Sequence, residues 1–250
     1  MRSSVIMALA LLLVPTLGMS QTPPSTQTVS VSGLANIFGA GLATVPAGTP
    51  SCPGPNGSLP VQVDIPPGAT FFTVGNTSGA VNCTAANTSP SADGSCIAGT
   101  PTNIFSDTNI SGIVDSVANM FLTGVMLDAN TPAAPAPASL DFSTNMNFAS
   151  LSPVLQQAFF IGDGLTGTGS GNLQQFLIPA GATRLFLGYA DAYSYSGEEG
   201  CYSDNAGGSL SATVRFGFPL VPTPANSQLG LWMLGVLLAL GSFATLRRKA

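Results

Sequence analysis

Between residues 24 and 220 the apolar residues arrive in runs of strand length, each closed by Gly, Pro, Asn or Ser. Val29 to Val31, Leu59 to Ile65, Phe71 to Val74, Leu185 to Tyr189 and Leu210 to Phe216 are rich in β-branched and aromatic residues. In the last, Leu210, Ala212, Val214 and Phe216 alternate onto one face. The 29 Gly and 20 Pro supply the breaks. Only Ser152 to Gln157 reads as a helix start, with Ser152 as N-cap and Pro153 at the first position. Thr131 to Ala138, dense in Pro and Ala, reads as an extended surface loop. The expected architecture is all-β, a single β-sandwich over 24–220, long enough to bury a sizeable core.

The ends read as targeting segments. Residues 1–20 have a basic Arg2, an apolar Val5 to Val14 and small residues at Gly18-Met19-Ser20, the pattern of a secretory signal peptide. Their apolar run is too short for a transmembrane helix. At the other end Leu229 to Leu246 is an uncharged apolar run, roughly 27 Å long as a helix and enough to span a membrane. Arg247, Arg248 and Lys249 follow, predicting a cytoplasmic basic tail over 247–250 with the body outside. Residues 221–228, opening Val221-Pro222-Thr223-Pro224, join body to helix. A short Pro motif, an apolar helix and a basic cluster together resemble the PEP-CTERM and IPTL-CTERM sorting signals, although VPTP replaces the better-known VPEP. That resemblance implies an exosortase-type membrane protease as partner, in a Gram-negative bacterium that makes exopolysaccharide. It also implies an inner-membrane stage followed by release to the cell surface or exterior. A plain C-terminal anchor is the alternative.

Charge and missing chemistry exclude several functions. There is no histidine, so Ser-His-Asp and Cys-His catalysis and His-ligated zinc or haem are closed to this chain. Of the six basic residues only Arg184 and Arg215 lie in the body, against all eleven acids, which gives residues 21–221 a formal charge of −9. Such a body repels nucleic acid and suits a divalent cation.

Four acids, Asp191, Glu198, Glu199 and Asp204, fall in a Gly- and Ser-rich stretch ending Asp204-Asn205-Ala206-Gly207, with no Lys or Arg nearby. Oxygen ligands without nitrogen or sulfur select Ca²⁺ or Mg²⁺, and a flexible loop offering carboxylates, an amide and carbonyls suits calcium. A solvated loop ending in an Asp-Asn-Gly turn is the alternative. The segment Arg184 to Asp191, then Gly200-Cys201-Tyr202-Ser203-Asp204-Asn205-Ala206-Gly207, resembles the calcium-dependent galactose-binding bacterial lectins of the PA-IL type. The family's fold implies a jelly-roll or lectin-like sandwich. Its ligand set implies calcium held by the side chains of Asp191, Asp204 and Asn205 and by the backbone carbonyls of Cys201 and, more loosely aligned, Cys83, with sugar hydroxyls on the metal beside Asp191 and Asp204. Three features depart from the family: nine residues separate Asp191 from Cys201, no His is present for the sugar, and the body is longer.

All four tyrosines, Tyr189, Tyr193, Tyr195 and Tyr202, lie in this region. Tyr189 continues the Leu185, Leu187 alternation into the core; Tyr193 and Tyr195 are the candidates for sugar contact. The even set Cys52, Cys83, Cys96 and Cys201 predicts two disulfides in an exported chain. Cys83 with Cys96 is a simple local loop; if the family-implied calcium lies between Cys83 and Cys201, those two are the alternative pair, leaving Cys52 with Cys96. The hexapeptides Ile65 to Thr70 and Ile178 to Thr183 nearly repeat, reading as two turns that send the following segments to one rim. Asp163, between Gly162 and Gly164, reads as a turn residue or a second metal ligand, and the five Asn-x-Ser/Thr matches follow from composition.

Two functions follow as expectations. One is a non-enzymatic, exported, calcium-dependent carbohydrate-binding protein with extracellular polysaccharide as its partner. The other is a structural surface or biofilm-matrix protein whose calcium, if any, only rigidifies a loop. A glycosidase-like carboxylate pair among Asp191, Glu198 and Glu199 is the weaker third.

Overall fold

The Leu210, Ala212, Val214, Phe216 alternation sits where a sheet needs it most. In the computed structural model, which describes residues 19–20, 25–205, 207–219 and 221–222, these four side chains are all buried in the longest ladders among the described residues. The strands are β1 (Met19–Ser20), β2 (Ser25–Ser32), β3 (Val61–Asp64), β4 (Phe71–Val81), β5 (Thr102–Ile104), β6 (Ile113–Asp115), β7 (Thr123–Leu127), β8 (Leu140–Asp141) and β9 (Ser150–Leu151). They continue with β10 (Ala158–Phe160), β11 (Leu165–Gly167), β12 (Ser170–Leu173), β13 (Gln175–Leu177), β14 (Arg184–Gly188), β15 (Ser196–Gly197), β16 (Gly208–Gly217) and β17 (Val221–Pro222). Pro23–Pro219 forms one compact unit; in the remainder of the chain only the β1–β17 antiparallel pair is described.

Within the unit one sheet has the order β2-β16-β4-β13-β9 and a second β10-β7-β14-β3, giving a β-sandwich-like fold. A smaller sheet, β15-β5-β6-β8, and the β11-β12 hairpin complete it. The two main sheets meet through aromatic rings. Phe72 of β4 lies 5.0 Å from Phe176 of β13 and 6.4 Å from Phe159 of β10, while Phe159 lies 5.5 Å from Phe176. Such tilted and offset contacts add about 0.5–1.5 kcal/mol per pair to the burial of each ring.

The structure differs from the sequence reading in three places. Strand β4 runs to Val81, well past Val74, because its polar half pairs with Ser209 to Thr213 of β16. Ser152 to Gln157 forms no helix: Gln156 is left-handed (φ 66°), and its side chain donates to the carbonyls of Asn109 and Ala133. Strand β7 is buried at all five positions between β10 and β14, so it carries no alternation from which to read it. Thr131 to Ala138 is a loop.

The two hexapeptides are neighbours in space. Ile65 N–H donates to Thr183 O (2.9 Å) and Ile178 N–H to Thr70 O (3.0 Å), and Gly68 and Gly181 take matching left-handed turns (φ 84° and 85°). Strands β4 and β14 therefore leave the same end in different sheets. Both arrive at the opposite rim, where Cys83 and Asp191 line one cavity. The apolar run 229–246, the basic tail 247–250, Thr223-Pro224 and most of the signal segment lie outside the described residues. Among the described residues no helix is long and apolar enough to cross a membrane.

Candidate metal and carbohydrate site

Strand β14 delivers Asp191 to the rim, and the chain then loops through a left-handed turn at Tyr193–Tyr195 (Ser194 φ 53°, Tyr195 φ 57°) and a 3₁₀ turn at Tyr202–Asp204 before re-entering as β16. Three ties fix the loop. Gly200 N–H donates to Asp191 O (2.9 Å), Ala192 bridges Glu199, and the Cys52–Cys201 disulfide joins the loop to the segment before β3. The second disulfide is Cys83–Cys96, so of the pairings left open the local one forms, and Cys83 and Cys201 do not bond to each other. Beneath the loop the fully buried Tyr202 hydroxyl donates to Tyr189 O (2.8 Å) and accepts from Asp191 N–H (3.1 Å).

Asp191 is buried at 2% exposure. Its Oδ1 accepts from Ala192 N–H (2.8 Å) and its Oδ2 from Asn205 Nδ2 (2.8 Å). Burial holds its carboxyl well above the ordinary carboxylate range, and the charges of Asp204 and Glu199 push the same way against those two hydrogen bonds. Asp204, exposed, is also raised, by partial desolvation. Asn205 is wholly buried; its Nδ2 also reaches Gly33 O (3.3 Å), while its Oδ1 has no hydrogen-bond partner. A buried amide oxygen without a partner costs about 1–3 kcal/mol, which a cation ligated there would recover.

A cavity of about 180 Å³ brings all but one of the expected residues together; Asn205 is not among those that line it. Cys83, Asp191, Tyr193, Tyr195, Cys201 and Asp204 all line it. Tyr193 is 65% exposed, as a contact residue requires. Tyr195 is buried and its hydroxyl donates to Cys83 O (3.4 Å), so it forms wall rather than platform, and Tyr189 is core. The lining residues offer two carboxylates and the carbonyls of Cys83 and Cys201, a hard donor set that fits calcium in type, and the Asn205 amide is joined to it through its hydrogen bond to Asp191. Both cysteine sulfurs are tied up in disulfides. Among the described residues no group of three or more His, Cys, Asp or Glu side chains is arranged to hold a metal. Asp163 is not part of the site: its carboxylate accepts from Leu165 N–H (2.8 Å) and Gly169 N–H (2.6 Å), the turn role.

Glu199 faces a different cavity, of about 340 Å³, with Glu198, Asp107 and the exposed ring of Phe105. Asn56 Nδ2 donates to its Oε1 (2.8 Å) and Asn36 Nδ2 to its Oε2 (3.0 Å). Burial, with the charge of Asp107 adding, pushes its carboxyl up to about 7 against the pull of both amides. Asn36, Asn56 and Asp107 escape a reading of the sequence, because they lie far from Glu199 along the chain, and the one motif among them, Asn56-Gly57-Ser58, is an Asn-x-Ser match that does not point to Glu199.

No family model matches this chain, and neither a curated protein nor a solved structure matches it.

Proposed function

We propose that this chain is an exported surface protein whose lectin-like, jelly-roll sandwich carries a calcium-dependent carbohydrate-binding site at the β14–β16 rim. The observation that carries the reading is the partnerless Oδ1 of wholly buried Asn205, next to a buried carboxylate in a body with a large excess of acids. Asp191, Asp204, Asn205 and the carbonyls of Cys201 and Cys83 would hold the ion. Five such oxygens fall short of the about six to eight that calcium takes, leaving positions for sugar hydroxyls. When bound, calcium supplies the positive charge that hydroxyl pairs ligate; Tyr193 offers a ring face to the sugar. Export fits the two disulfides, which persist in oxidising compartments. The exosortase-type signal at Val221 to Pro224 and Arg247-Arg248 supplies the route, and extracellular polysaccharide is the ligand class.

One observation favours the second reading, a structural surface protein. Both Asp191 oxygens already accept hydrogen bonds, so the loop closes on itself without a metal. Thermal melting of the protein in EDTA and then in Ca²⁺, with Asp204→Ala beside it, tests for the ion, and a glycan array with and without EDTA then separates the two readings. Calcium raises the melting temperature of the parent but not of the variant if the site binds the ion. An unchanged parent leaves the structural reading. A glycan-array signal lost in EDTA then completes the first.

A further inference from the structure

We propose a second binding site, independent of calcium, on the outer face of the β2-β16-β4 sheet: a groove built around Arg215 that takes the carboxylate of an acidic saccharide. A cavity of about 360 Å³ lies here, and Arg215 lines it with Thr73, Asn76, Thr77 and Leu173. That volume falls within the range of about 300–1,000 Å³ usual for small-molecule clefts.

Three observations converge. The first is charge. Only Arg184 and Arg215 are basic in the body, and Arg184 is committed to the carbonyls of Asp128 (2.8 Å) and Asn130 (2.6 Å). Arg215 is exposed and has no hydrogen-bond or ion-pair partner among the described residues. The carboxylate in the same cavity, Asp163, is turned onto the backbone N–H groups of Leu165 and Gly169 and makes no ion pair with Arg215.

The second is backbone. Gly75, Asn76 and Thr77 are consecutive, yet all three line the cavity, which regular alternation along a strand forbids. A β-bulge allows it. Thr213 pairs with Gly75 and Ser211 with Ser78, so Asn76 and Thr77 together face Ala212, and Asn76 takes a left-handed conformation (φ 51°). Bulges re-aim side chains beside binding sites, and a left-handed non-glycine residue is strain that the surroundings must hold.

The third is the kind of group presented. A planar guanidinium matches a carboxylate with two parallel N–H bonds. Thr73, directly opposite Arg215 in the ladder, and Thr77 and Asn76 offer hydroxyls and an amide to sugar hydroxyls. Leu173, 48% exposed, offers an apolar ledge for the C–H face of the ring. A free carboxylate beside hydroxyls and an apolar face describes a uronic acid unit.

The test is titration calorimetry on the full-length, disulfide-formed protein in nonionic detergent with EDTA, using oligogalacturonate, its methyl ester and a neutral oligogalactan. Working in EDTA silences the calcium site, and Asp204→Ala serves as a control that must not change the result. The parent binds the oligogalacturonate, Arg215→Gln weakens it by about tenfold or more, and the methyl ester binds as weakly to the parent as the acid does to the variant. Asn76→Gly keeps the left-handed backbone while removing the amide, and weakens binding with melting unchanged. No binding by the parent, equal binding by Arg215→Gln, or equal binding of acid and ester overturns the proposal, whatever the calcium experiment returns.

Discussion

Glu199 makes stability fall as pH rises, the reverse of what surface carboxylates usually do. Its carboxyl is raised from 4.5 to about 7, first by burial and then by Asp107, so the folded state keeps a proton that the unfolded chain has released. Below the unfolded value both states are protonated and the contribution is whole. Between about 4.5 and about 7 only the folded state holds the proton, and stability is lost as pH rises; above that window the loss is complete. At about 1.4 kcal/mol per pH unit the window is worth about 3 kcal/mol. The Glu199→Gln variant removes the titration and imitates the protonated form. Asn36 must keep its Nδ2 toward residue 199, because its Oδ1 is held by Phe38 N–H (2.9 Å). Asn56 is held less firmly: its Oδ1 is unpartnered, and an amide flip turns it toward the new Gln Nε2–H at the cost of only the long donation from its Nδ2 to Ala47 O (3.4 Å). Urea unfolding of the metal-free protein in EDTA, from about pH 4.5 to about pH 8, gives the difference between parent and variant, in which groups common to both cancel. The parent loses about 3 kcal/mol more than the variant across the window. A difference curve that is flat within about 1 kcal/mol, or that slopes the other way, refutes the assignment of this titration to Glu199.

Two further outcomes follow from the loop's anchors. Tyr202→Phe deletes the hydroxyl that accepts from Asp191 N–H and donates to Tyr189 O, at a cost of about 1–3 kcal/mol in urea unfolding because both partners are buried; a loss under about 0.5 kcal/mol contradicts the bridging role. Replacing Cys52 and Cys201 by Ser opens a link of sequence separation 149 and costs about 5 kcal/mol by chain entropy, against about 3 kcal/mol for Cys83 and Cys96 at separation 13; the reverse order of costs contradicts the pairing.

Period-two alternation is a local property, so the strands around Val31, Val63, Phe72, Leu185 and Leu210 are legible in the sequence, and with them the β-rich architecture. The candidate site was legible for the same reason. Asp191, Cys201, Asp204 and Asn205 lie within one loop, and their oxygen chemistry needs only residue types and short spacing. Even the repeated hexapeptide carried topology, because two like turns stack side by side. What no local pattern contains is contact across long separations. The partner of Cys201, the amides of Asn36 and Asn56 on Glu199, and the burial of Tyr195 while Tyr193 stays exposed all depend on which segments the sandwich folds together. Strand β7 was hidden because a run buried on both faces has no alternation. The Arg215 groove exists only because a bulge breaks the alternation that made the rest readable: hydrophobic patterning selects the class of fold, while register and long-range pairing decide which side chains share a cavity.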